Sequence, residues 1–149
     1  MAVTYDKIAY PLIEKGLKSI INDEFPNVYV APRFKLVGNE CIRINLTNST
    51  DLMTTNSFEE REYQVMIRYY FQSDLTNENV NESIKAKIDR LKRHLIDNHV
   101  KDTATAKWVG LLINNIQYDV QDEENEENDN LYIAEFELTL MNHNPFGDE

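Results

Sequence analysis

Residues 60–71 read EREYQVMIRYYF, and the fold turns on them. Tyr63, Val65, Ile67, Tyr69 and Phe71 alternate with Glu62, Gln64, Met66, Arg68 and Tyr70. A period of two is that of a β-strand with one apolar face. Such a face must be covered, and the residues that follow supply a helix. Val80, Ile84, Ile88, Leu91 and Leu95 step by three and four along one stripe. Asn77 or Asn79 can cap that helix, with Glu82 as the capping-box partner of Asn79, and Asn98 and His99 end it.

Working outward, Tyr5 to Asp23 carries a second helical stripe through Ile8, Leu12, Ile13, Leu17, Ile20 and Ile21. Pro11 sits within it and predicts a kink. Val28–Ala31 and Cys41–Leu46 read as strands, the latter with Ile42, Ile44 and Leu46 on one face. Thr47–Ser57 is polar and aperiodic, which predicts a long loop. Two further strands, Trp108–Val120 and Leu131–Met141, flank the acidic stretch QDEENEENDN and predict a long antiparallel hairpin. Tyr132, Ala134, Phe136, Leu138 and Leu140 form the apolar face of the last strand. The predicted order is α-β-β-β-α-β-β: an α+β fold, with an antiparallel sheet of about five strands packed against two helices.

The chain has 149 residues, the length of one domain, 1–149, with an acidic hairpin loop at about 119–130 and a short polar C-terminal tail. It is 42% hydrophobic and 28% charged, ordinary values for a globular protein. No run approaches the 18 apolar residues of a membrane span, and no secretory signal is evident, so a protein of a reducing compartment is expected. Cys41 is the one cysteine, which excludes an intramolecular disulfide. The net charge of −11 is confined to one end of the chain: all 15 Lys and Arg lie before residue 119, balanced by 15 acids, and the other 11 acids follow. An acidic region of that kind repels phosphate and counts against nucleic-acid binding there.

Catalytic chemistry finds no purchase. The four glycines, at 16, 38, 110 and 147, cannot write a dinucleotide fingerprint, a phosphate loop or a nucleophile elbow. Cys41 lies on a predicted strand without a nearby histidine and reads as a structural thiol. His94 and His99 are five apart, off the i, i+4 spacing of a helical metal site, and His143 stands alone. The acidic stretch has no glycine where a calcium loop needs one. No catalytic, cofactor or metal residue is therefore expected. Tyr70, facing away from the apolar stripe, reads as an interface residue. Ser49, Asp51 and Thr54, in the predicted loop, complete a candidate assembly surface.

The element order, with YPLIEKGLKSIIN in the first helix, EREYQVMIRYYF in the middle strand and LYIAEFELTLMNHN in the last, resembles the tail terminator (tail-to-head joining) proteins of tailed bacteriophages. The likeness lies in pattern and covers nearly all of the chain. It implies a structural virion protein without an active site, made in the host cytoplasm. Such a protein forms a hexameric ring on the tail tube, stops tube growth and docks to the head connector. The partners implied are further copies of the chain, the tube protein and a connector or neck protein, with DNA passing unbound and no membrane. Other phage neck or head-completion proteins share much of this arrangement, and a small enzyme or ligand-binding domain is the alternative from another class. In a ring, Asp122, Glu123, Glu124, Glu126 and Glu127 are the candidate lumen-facing acids, lining the channel with a wall to which DNA does not stick.

Overall fold

The middle strand lies at the centre of the fold. In the computed structural model, which describes residues 7–121 and 130–146, Phe58–Gln72 forms strand β3 in a five-stranded sheet. The sheet order is β1-β2-β3-β7-β6, with β1 spanning Val28–Val30, β2 Glu40–Thr54, β6 Gly110–Gln117 and β7 Leu131–Pro145. β2, β3, β7 and β6 pair antiparallel, as expected from the element order and the short connection between the last two strands. β1 departs from that pattern and pairs parallel to β2, Val28 opposite Ile42.

Helices α1 (Lys15–Asn22) and α2 (Glu78–Asp97) cover one face of the sheet. Ile13, Leu17 and Ile21 from the first segment, and Ile88, Leu91 and Leu95 from the second, are fully buried. They pack on the predicted stripes: Val65, Ile67, Tyr69 and Phe71 of β3, and Ala134, Phe136, Leu138 and Leu140 of β7. Asn77 caps α2, its side-chain oxygen accepting from the Asn79 amide at 2.8 Å. Pro11 produces its distortion in an uncommon form. Ala9–Glu14 is a single π-helical turn, in which the amides of Leu12 and Ile13 both donate to the Ile8 carbonyl. The widened turn accommodates the proline ring, and α1 continues from it. Gly16 lies where α1 crosses Ala106 and Trp108; a Cβ there would stand 3.0 Å from the Ala106 backbone.

Two expectations are corrected. The strand predicted over Trp108–Val120 is broken at Val109: Lys107–Trp108 (β5) pairs with Lys101–Asp102 (β4) in a separate two-stranded ribbon, and only Gly110–Gln117 joins the main sheet. Trp108 anchors the break, fully buried, with its indole Nε1–H donating to the Asn98 carbonyl at 3.0 Å. The second correction concerns Thr47–Ser57. β2 runs straight through it to Thr54, and only Thr55–Ser57 turns, with the Thr55 hydroxyl accepting from the amides of Ser57 and Phe58. The ladder continues from Asn48 opposite Gln64 to Thr54 opposite Glu59, with bulges at Leu46/Asn48 and Asp51/Met53. A strand whose residues are exposed on both faces has no apolar alternation, which is why it read as a loop.

Candidate assembly surfaces

Three surfaces of the sheet are open to partners, and each grows from the register above. The first is the arm. Beyond Leu46, β2 has lost its β1 neighbour, and the amide of Leu46 is met instead by the Glu14 carboxylate at 3.0 Å. From Thr47 to Thr54 the outer edge of β2 carries no strand among the described residues. On its inner side the β2–β3 hairpin is held by backbone pairing and by the Arg61 guanidinium, which donates to the Ser49 hydroxyl at 2.9 Å. Ser49, Asp51 and Thr54 all lie exposed on this arm, and the Thr54 hydroxyl donates to Asp51 at 2.7 Å. Leu52 and Met53, at 46% and 52% exposure, present apolar side chains beside them.

The second is the sheet face away from the helices. A row of side chains crosses it in register: Arg43 on β2, Arg68 on β3, Glu135 on β7. Arg68 Nε pairs with Glu135 Oε1 at 3.0 Å. Arg43 is nearly buried; its Nε donates to the Tyr70 hydroxyl at 3.1 Å and its Nη1 to the Pro32 carbonyl at 2.9 Å. Residues 31–39, which join β1 to β2, lay Phe34, Leu36 and Val37 over this end of the face. Tyr70, expected at the surface, is instead fully buried beneath them, with the Phe34 ring 4.4 Å from its own. It is a packing residue of the protomer, not part of its exposed surface. Cys41 is buried in the same cluster with Leu131 and Ile133, and burial pushes its thiol up. The remainder of the face is a shallow polar cleft of about 310 Å³ between Thr47, Gln64, Asn114, Glu135 and Glu137.

The third is the outer edge of β6, the far margin of the sheet. There Leu112 is 65% exposed, and Ile96 of α2 and Tyr118 stand open beside it. Together with Leu111, Ile113 and Ile116 they line a groove of about 610 Å³ that has Lys92 and His99 on its rim. Neither this groove nor the apolar part of the arm was legible as a site. Leu52 and Met53 are a short apolar pair in a polar stretch and Leu112 lies within the apolar run Leu111–Ile113, and only the register shows that they flank open edges.

The histidines have structural roles. A ring nitrogen of His94 lies 2.9 Å from the Ile20 carbonyl and joins α2 to α1, that of His99 2.9 Å from the Ile96 carbonyl at the end of α2, and His143 Nδ1 3.1 Å from Glu60 across β7 and β3. Among the described residues no group of three or more His, Cys, Asp or Glu is placed to hold a metal. No described helix is long and apolar enough to cross a membrane. Asp122, Glu123, Glu124, Glu126 and Glu127 lie outside the described residues.

Tyr69 ties the layers together. Its hydroxyl donates to Glu40 Oε2 at 2.6 Å, and Glu40 Oε1 accepts from Lys87 of α2 at 2.6 Å. Burial first, then the Glu40 carboxylate, push the Tyr69 phenol well above its ordinary value. Burial raises Tyr29, Tyr63, Tyr70 and Tyr132 as well. The unfolded chain ionises these phenols near pH 10.0 while the folded chain holds them neutral, so their contribution is intact below pH 10 and is lost as pH rises beyond it. The buried Cys41 thiol acts in the same direction from its lower unfolded value of 9.0, so urea unfolding midpoints should begin to fall near pH 9 and fall more steeply between about 10 and 11.5.

No family model matches the chain, and no curated protein does. Among solved structures it is similar to the sheath/tube terminator of an extracellular contractile injection system, PVC, in its extended state, with a TM-score of 0.52 at 12% identity over 98% of this chain. The chain spans 59% of the length of that protein. At this identity the likeness is one of fold alone.

Proposed function

We propose that this protein is a structural subunit that closes the end of a tail-like tube, and that it does so as a ring of identical copies. The observation that carries the reading is the sheet's two unlike margins, open among the described residues: the β2 edge of the arm and the β6 edge. Contacts between unlike surfaces are heterologous, and when their rotation closes they make rings. The fold shared with the sheath/tube terminator of a contractile injection system supports the same reading. In the finer form we propose, the ring is a hexamer on the end of the tube, one face meeting the tube and the other a head connector or neck protein, in a virion. Ser49, Asp51 and Thr54 belong to the contact between copies. Asp122, Glu123, Glu124, Glu126 and Glu127 give the channel an anionic lining past which DNA slides; that assignment rests on charge alone. Nothing in this role calls for a catalytic group.

Electron micrographs of the purified chain test the ring. Closed rings of one diameter are expected at micromolar concentration, and particles of monomer size at every concentration tried would overturn it.

A further inference from the structure

We infer that the groove along the outer edge of β6 receives the tip of the β2–β3 arm from a second copy of this chain. The inference rests on the ring reading above and names the contact that would build it. Two observations place a strand in the groove. Among the described residues β6 turns an unpaired row of backbone donors and acceptors outward over Gly110–Gln117, with one bulge at Asn114, and such an edge is a template for an added strand. The groove's walls, Ile96, Leu112 and Tyr118, are exposed apolar side chains on both sides of that edge, where an incoming strand would place its own.

Three features point to the arm as the occupant. Its outer edge is equally unpaired among the described residues, so each margin supplies what the other lacks. Ser49–Thr54, at about 3.4 Å per residue, spans roughly 20 Å, within the roughly 27 Å of β6. Leu52 and Met53 project from the arm as exposed apolar groups beside Asp51, the one charged residue between Arg43 and Glu59, and Lys92 is the charged residue among those lining the groove. Pairing β6 with β6 of a second copy would oppose Lys92 with another cation and leave Leu52 and Met53 in water. It would also stop at a dimer, because that contact is isologous.

The test uses two variants of the full chain. The arm variant carries Leu52→Lys with Met53→Lys, and the groove variant carries Leu112→Lys. These positions are exposed, and equal melting temperatures at low concentration establish that both variants fold. Sedimentation velocity should show at least tenfold weaker self-association for each variant alone. Mixed in equal amounts, they retain one intact arm and one intact groove, so a 1:1 dimer that grows no further is expected. As a second measurement, Met53→Cys and Leu112→Cys copies mixed and treated with a bismaleimide should yield the mixed crosslinked pair in excess over either like pair. Variants that assemble as the wild type does, or a mixture that stays monomeric and uncrosslinked, would overturn the arm–groove contact while leaving the ring standing. A monomeric wild-type chain would overturn both.

Discussion

Replacing Phe136 with alanine is expected to cost the protomer about 3–5 kcal/mol, the range for truncating a buried aromatic ring. Phe136 is fully buried on β7, opposite Ile67 of β3 and Ile116 of β6, where the sheet is covered by the helices. A domain of this size has roughly 5–15 kcal/mol to lose in all. The melting temperature should drop by about 10 °C, at about 2–4 °C per kcal/mol. The cavity would be framed by backbone-paired strands on both sides, which restrict its collapse, so a value in the upper half of the range is expected. Calorimetry at low protein concentration checks it, since assembly would otherwise add concentration-dependent stability. A loss below about 1 kcal/mol would mean that the β3–β7–β6 region is not the packed centre of the fold.

Tyr70→Phe separates a packing role from a docking role. The substitution keeps the ring under Phe34 and removes only the hydroxyl, which accepts from Arg43 Nε at 3.1 Å and is also hydrogen-bonded by Arg68. Arg43 is nearly buried and among the described residues pairs with no carboxylate; its other partner there is the Pro32 carbonyl. A buried guanidinium that loses a hydrogen bond costs more than a neutral donor would, about 1.5–3 kcal/mol. The expected result is a protomer destabilised by that amount whose association constant is unchanged once the fraction unfolded is accounted for. Chemical denaturation of dilute protein gives the first quantity and sedimentation the second. Unchanged stability with weakened association would return Tyr70 to the surface on which its position in the sequence first placed it.

The contrast between these two residues shows how far the sequence is readable. Phe136 belongs to a stripe of alternating apolar residues, and a buried face has to be written in that way, so both central strands and their inward sets were legible. The cap was legible as one of two neighbouring asparagines, and the structure selects Asn77 over Asn79, whose own amide donates to the Asn77 side chain. Tyr70 alternates correctly to the other face, but what covers that face is Phe34 and Val37, from a connection with no periodic signal. The parallel pairing of β1 is likewise a consequence of that connection crossing over the sheet. The arm escaped notice for the opposite reason. Asn48–Thr54 form a strand by pairing with β3, not by burying a face, so composition alone reads them as a loop. The candidate assembly surface was thus half legible: Ser49, Asp51 and Thr54 do lie exposed together, while the β6 edge on the far side of the sheet emerges only from topology.

Tail length measures the central claim most directly. In a cell that carries this gene and produces a tail-like tube, inactivating the gene removes the proposed end cap and leaves the tube protein in place. Electron micrographs should then show tubes of widely varying and often excessive length, without heads or other end structures attached, and supplying the intact chain should restore one length. Tubes of a single normal length in the absence of the chain would contradict the account.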